Sequence, residues 1–338
     1  MRALLSLALA GVSLAGCATT PAITGLPPVA VTATGETTPV GTANADAADD
    51  PAIWRNAADP AASLIVATDK KAGLYVYGLD GAVRSFVDSG RVNNVDLVDM
   101  GAQGIIVIAS DRNDVTAAKA QLFRLDPAAA TLTRLATLPV GAGEAYGMCA
   151  TGRNGELLIY SPVKEGAIYE QRITLGATPT AESLRTLRVA TQPEGCIVDH
   201  RDGTLFVGEE DAGIWRFAAG AAAGEMVAAV DNRYLVADVE GLGLVPEGAT
   251  GGWLVASSQG DNAYAVFRLP DMAPLGRFAV VPGAIGGAEE TDGLEVIAGD
   301  FGPDYPEGLF VAQDGHNQPA AQNFKLVSWA AIKAALGL

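Results

Sequence analysis

The chain alternates short apolar runs with brief polar loops, and it does so at a nearly constant interval. An apolar strand, a small residue, a polar loop and a second aromatic-rich strand recur as SLIVATDKKAGLYVY, IIVIASDRND, LLIYSPVKEGAIYEQ, TLFVGEEDAGIWRF, WLVASSQGDNAYAVF and GLFVAQDG. Anchored on Ala67, Ala109, Tyr160, Gly208, Ala256 and Ala312, the copies are spaced by 42, 51, 48, 48 and 56 residues. A second element opens each copy, a polar residue often followed by Gly at the head of an apolar strand: Asp50, Asn94, Tyr146, Glu194, Glu240 and Asp292. Its steps of 44, 52, 48, 46 and 52 keep phase with the first. Helical periodicity is almost absent before the terminal stretch from Trp329 to Leu338. Short strands with Gly/Asp/Asn turns at a period near fifty residues predict an all-β chain, a six-bladed β-propeller of four-stranded antiparallel blades.

The first residues follow other rules. Met1-Arg2, an apolar run from Leu4 to Leu14 and then Leu14-Ala-Gly-Cys17 resemble a bacterial lipoprotein signal, too short to span a bilayer as a mature helix. That reading predicts a signal peptide over 1–16, lipid on Cys17, a Thr/Pro/Gly/Ala-rich flexible tether over 17–44 and the propeller over 45–338. The protein is then exported and lipid-anchored, on an outer membrane facing periplasm or cell surface, with no other membrane contact. Cys149 and Cys196 fall one position out of phase in the repeat, so the expectation is two buried, unpaired thiols.

Thirty-nine acidic against 22 basic residues leave a charge of −17, which excludes a protein that wraps nucleic acid and suits one that captures cations. In a propeller the opening strands line one channel, so the six polar openers surround one axis. The loops after the anchors bring Asp69, Lys70, Asp111, Arg112, Lys164, Glu165, Glu209, Glu210, Asp211, Gln259, Asp261 and Asp314 to the same mouth. Close carboxylates stay ionised only when cations compensate them. Oxygen ligands with only two histidines, His200 and His316, point to a hard cation, calcium first. Each acid taken singly could be a turn former or a solvated rim; six phased copies of the polar opener favour a site, although propellers also bind calcium for stability alone. Lys70, Arg112 and Lys164 could pair with those acids or clamp an anionic ligand such as phosphate. Nucleophile motifs fail: no Arg stands six residues after either Cys149 or Cys196, His200 lacks an Arg-His-Gly context, and Ala256-Ser-Ser-Gln-Gly lacks the first Gly of a nucleophile elbow. Metal-assisted chemistry survives.

Asp46-Ala-Ala-Asp-Asp-Pro-Ala-Ile-Trp54 resembles the opening signature of the β-propeller phytases, a calcium-dependent alkaline family. The likeness continues in order through Thr68-Asp-Lys-Lys, Asn93-Asn-Val-Asp, Ser110-Asp-Arg-Asn, Glu144-Ala-Tyr-Gly, Lys164-Glu-Gly, Glu194-Gly, Glu209-Glu-Asp-Ala-Gly-Ile-Trp, Asp238-Val-Glu-Gly, Ala256-Ser-Ser-Gln-Gly, Glu290-Thr-Asp-Gly, Val311-Ala-Gln-Asp-Gly and Gln322-Asn-Phe-Lys. The resemblance implies hydrolysis of myo-inositol hexakisphosphate, taken as its calcium complex, by direct attack of a calcium-activated water, in a monomer. It implies Asp49, Glu194, Glu210, Asp238, Glu240 and Asp292 as ligands of catalytic calcium, with Tyr146 orienting it. Lys70, Arg112 and Lys164 would bind phosphate with Glu165 beside them, and Asp50 and Asp314 would hold a separate structural calcium. Departures are Asp69 where the family has Asn, Glu289-Glu290 before Thr291, and a short segment between Asp314 and Gln322. Two other readings stand beside it: a non-catalytic calcium-loaded propeller that binds phosphorylated ligands, and a lactonase-like calcium propeller, which leaves the three cations unexplained.

Overall fold

The computed structural model describes residues 23–338, so the expected signal peptide, the expected lipobox and Cys17 lie outside the described residues. Six antiparallel sheets of consecutive strands occupy 48–88, 92–142, 149–188, 193–229, 239–280 and 294–328, and we number these blades 1 to 6. Their inner strands are Ala48–Trp54, Val92–Asp99, Cys149–Arg153, Pro193–Asp199, Val239–Glu247 and Leu294–Ala298. Each touches the next, and the last touches the first, which closes the ring.

The second strand of every blade is packed on both faces, which is why it reads as a continuous apolar run instead of an alternation. Leu64–Asp69 and Ile105–Asp111 are buried at every position, whereas the outer strand Val83–Asp88 is largely exposed. Six apolar clusters result, one at each seam between neighbouring blades. The terminal helix Trp329–Leu336 buries Trp329 and Ile332 in the cluster of blades 5 and 6.

Two expectations need correction. The stretch 17–44 is not a tether over its described part. Val29–Val31 adds a fifth, parallel strand to blade 5, and Gly35–Glu36 is the outermost strand of blade 6, paired with Asn323–Ser328. The last repeat has only three strands of its own, so the N-terminal segment completes it and joins the two ends of the chain. Fully buried Lys325 fastens this closure, its Nζ 2.5 Å from Glu36 and 3.2 Å from Asp314. Its composition concealed the segment because its pairing partners lie about 250 and 290 residues away.

Cys149 and Cys196 form a disulfide, with Cα atoms 5.7 Å apart, between the inner strands of blades 3 and 4. Adjacent blades stack face to face. Residues that meet across a seam therefore come from opposite faces of equivalent strands, so the phase difference that argued against pairing is what a cross-seam bond requires.

Candidate active site

Four inner strands carry a β-bulge at the repeat's polar opener. The pairing register slips between Ala48 and Pro51, Val92 and Val95, Pro193 and Cys196, and Val239 and Leu242. Two residues thus oppose one, at Asp49-Asp50, Asn93-Asn94, Glu194-Gly195 and Glu240-Gly241, and the extra residue re-aims its side chain. Hydroxyls opposite the bulges satisfy the displaced backbone: Thr68 Oγ1 accepts from Asp50 N at 2.9 Å, and Ser110 Oγ from Asn93 N at 3.2 Å and Asn94 N at 3.0 Å.

The glycine after the opener has a steric task. A Cβ on Gly147 would lie 2.1 Å from the Glu194 carbonyl oxygen, and one on Gly195 would lie 2.2 Å from that of Glu240. Gly241 and Gly293 abut the next blade likewise, and their N–H groups donate to Asp292 O and Asp49 O at 2.6 and 3.0 Å. Bare backbone at these seams lets neighbouring inner strands approach until their acids share one space.

Carboxylate oxygens of Glu194, Glu210 and Glu240 lie within 4.8 Å of one another. Glu194 and Glu240 are buried, and their pKa values stand well above the carboxylate range because burial is compounded by neighbouring acids, Asp49 foremost for Glu194 and Glu194 for Glu240. Burial, against a 2.5 Å hydrogen bond from Gln192, raises Glu210 too, with Asp238 adding charge. Asp49 Oδ2 and Glu240 Oε2 are buried without a hydrogen-bond partner. Partnerless buried carboxylate oxygens beside three converging glutamates are the donor set of a hard cation, and these residues fit calcium.

Lys70 is the cation already present. Its Nζ lies 2.9 Å from Asp46 and Asp49 and 2.7 Å from Asp292. Burial alone would depress the ammonium, but Asp49, Asp292, Asp46 and Glu194 outweigh it and hold Lys70 protonated far above its ordinary value. Asp292, also bonded by Gln259 at 2.6 Å, is raised to about 7 by burial, against the pull of Lys70 and with the push of Asp49. Tyr146, its phenol kept protonated by burial and by Glu194, Asp49, Glu240 and Glu210, stands between acids and cations. Arg112 stacks 5.0 Å and Lys164 4.3 Å from its ring centre. Arg112 is tied to Glu144 and to Asn93 Oδ1, whereas Lys164 forms no ion pair among the described residues. Beside this cluster a cavity of about 410 Å³ opens along Asp46, Gln259, Asn262, Glu290 and Gln322.

Asp49, Glu194, Glu210, Glu240, Asp292, Tyr146, Lys70, Arg112 and Lys164 thus converge, and Asp238 stands half-buried against Glu210 and Asp211. Three further residues have other surroundings. Asp50 points down the channel, where its Oδ2 accepts from Val95 N at 3.0 Å near Asp96 and Glu295. Asp314 instead meets Lys325 and the backbone of Glu289 and His316. The bulge sends Asp49 and Asp50 in different directions, and Asp50 and Asp314 have separate hydrogen-bond surroundings. Exposed Glu165 accepts from Glu144 N at 3.1 Å and props that loop. Residue-by-residue reading missed Asn93, which donates to Glu194 Oε1 at 2.5 Å and accepts from Arg112, linking the acidic and basic halves. Its signal was the doubled Asn93-Asn94, the counterpart of Asp49-Asp50 one blade earlier.

Fold and site together define a propeller enzyme whose acidic mouth, edged by guanidinium and ammonium groups, suits phosphate esters. A family model described as phytase matches residues 1–338, and the chain belongs to the phytase family. It is 35% identical to a 3-phytase of Bacillus subtilis (strain 168), over 91% of this chain and 85% of that protein. The enzyme is a phytase, which excludes the non-catalytic and lactonase-like readings. A chain in the crystal structure of a mitotic checkpoint complex, 12% identical, superposes with a TM-score of 0.55 over 96% of this chain and 86% of its own, and shares the fold alone.

Proposed function

We propose that this phytase hydrolyses phytate with calcium held by Glu194, Glu210, Glu240 and Asp49, and with Asp238 and Asp292 at the edge of the same site. The observation that carries this reading is the pair of buried, partnerless carboxylate oxygens on Asp49 and Glu240 beside the glutamate trio. When bound, calcium supplies positive charge that offsets phosphate oxygens and favours ionisation of water. The chain's own residues do the rest. Lys164, free of carboxylate partners among the described residues, and Arg112 receive the phosphate oxygens, and the protonated Tyr146 donates toward the same space. Asn93 keeps the Glu194 carboxylate in register with Arg112. Water attacks phosphorus directly, its proton passes to the acidic cluster and from there to the leaving ester oxygen, and the P–O bond breaks to release phosphate and the inositol hydroxyl. No side chain forms a phosphoenzyme. The substrate enters as its calcium complex, and the enzyme acts as a monomer. Leu14-Ala-Gly-Cys17 supports export and anchoring to the outer membrane through lipid on Cys17.

The deciding experiment follows phosphate release from inositol hexakisphosphate in chelator and with calcium restored, beside calorimetric titration of calcium into the metal-free chain. Activity lost and regained with calcium, with binding seen directly, is the expected result. Full turnover in excess chelator would overturn the calcium assignment. Lipid labelling that survives Cys17→Ser would overturn the anchor.

A further inference from the structure

Tyr146 and Glu194 enter the site from neighbouring blades, and the chain ties them together just beneath it. Tyr146 stands three residues before Cys149, Glu194 two before Cys196, and these cysteines are bonded. Between the side chains and the disulfide, Gly147 packs its backbone on the Glu194 carbonyl with no room for a Cβ. At this height three of the other seams use weaker closures. Asp50 bonds Val95 N at 3.0 Å across blades 1 and 2, Asp96 bonds Ala150 N at 2.7 Å across blades 2 and 3, and Glu295 bonds Ile53 N at 2.5 Å across blades 6 and 1. Only the seam of blades 3 and 4 carries a covalent bond, among the described residues. It lies below the clustered acids Glu194, Glu210 and Glu240, which repel one another when ionised.

We propose that the Cys149–Cys196 disulfide positions the cation site, holding Glu194 and Tyr146 at the separation that calcium binding needs. The inference rests on the calcium reading above. A staple serving stability alone would act equally well anywhere along the seam; this one sits two and three residues from the groups it aligns.

The test compares the full chain with Cys149→Ala/Cys196→Ala and with Cys149→Val/Cys196→Ala, the second refilling the space left by sulfur should the first not fold. Calcium binding is measured by calorimetry and by calcium activation of phytate hydrolysis, at a temperature where circular dichroism shows each protein folded. Phe217→Leu, in the same apolar cluster, is the control for lost stability with the tie intact. Support is calcium affinity weakened roughly tenfold in the cysteine variants, as for loss of a group that orients a ligand. Turnover at saturating calcium is then restored, and the control binds like wild type. Cysteine variants with wild-type calcium affinity and only a lower Tm would overturn the positioning role. A wild-type chain that binds no calcium would instead overturn the calcium reading, and this proposal with it.

Discussion

At the scale of single residues, the site divides by what each charged group already touches. Lys70 is surrounded by Asp46, Asp49 and Asp292, so its first effect is to keep those acids together. Lys70→Met should lower Tm in chelator and narrow the loss when calcium is added, because the variant leaves buried acids uncompensated. Lys164 has no such engagement among the described residues. A charge-assisted hydrogen bond contributes about 1.5–3 kcal/mol, so Lys164→Ala should raise KM for phytate by on the order of tenfold or more with Tm nearly unchanged. Steady-state kinetics with thermal melts on both variants separate the roles; a Lys164→Ala enzyme with wild-type KM would remove it from phosphate binding. Glu210→Gln keeps shape and hydrogen bonding but removes a ligand charge, and it should raise the calcium needed for half-activation by roughly tenfold to a hundredfold.

Elements explain why such unlike residues meet. Bulges at Asp49-Asp50, Asn93-Asn94, Glu194-Gly195 and Glu240-Gly241 turn side chains out of simple alternation, and glycines at the seams let the strands close. Gly195→Ala tests the second device, since its Cβ must push against backbone, 2.2 Å from the Glu240 carbonyl. The expected result is a Tm several degrees lower and weaker calcium binding by calorimetry, because Glu194 and Glu240 are driven apart. A variant equal to wild type in both would show the seam able to widen freely. The disulfide acts on this scale as well. With its cysteines 47 positions apart in sequence, the chain-entropy model assigns it roughly 4 kcal/mol of stability, apart from any effect on the site.

The whole molecule is a ring under internal electrostatic pressure, closed by its N-terminal strand. Removing residues 1–38 strips Gly35–Glu36 from blade 6 and leaves Lys325 without Glu36; the shortened chain should unfold at markedly lower temperature or aggregate, as melting and size-exclusion chromatography would show. Protons oppose the pressure too. Asp96 and Asp292 titrate at about 7 when folded, against an ordinary 3.8, burial being the chief cause for both. Over that interval the folded chain binds more protons than the unfolded one, so these groups lower metal-free stability as pH rises from about 4 to 7. Calcium at the mouth, which favours the ionised form of Asp292 and its neighbours but not of Asp96 deeper in the channel, should oppose the trend. Melts across this range in chelator and in calcium should diverge as pH increases; parallel curves would show that the acids and the metal are not linked.

The repeat by itself determined the ring, the six blades and the polar opener of each, because strand period and turn chemistry are local and were written six times. It also placed Glu194, Glu240, Asp292 and Tyr146 around one axis and put Lys70, Arg112 and Lys164 at the same mouth. What repetition cannot express, only the tertiary structure decided. A bulge changes which way a side chain points without changing the order of residues, so the surroundings of Asp49 and Asp50 could not be read from their adjacency. The N-terminal strand pairs across almost the whole chain, and its own composition holds no sign of that partner. Cys149 and Cys196 meet because blades stack face to face, a relation between sheets that no single strand's alternation contains. The closeness of Glu194, Glu210 and Glu240 is of the same kind: each acid is visible in the sequence, but their separation is set by glycine-thin seams between blades.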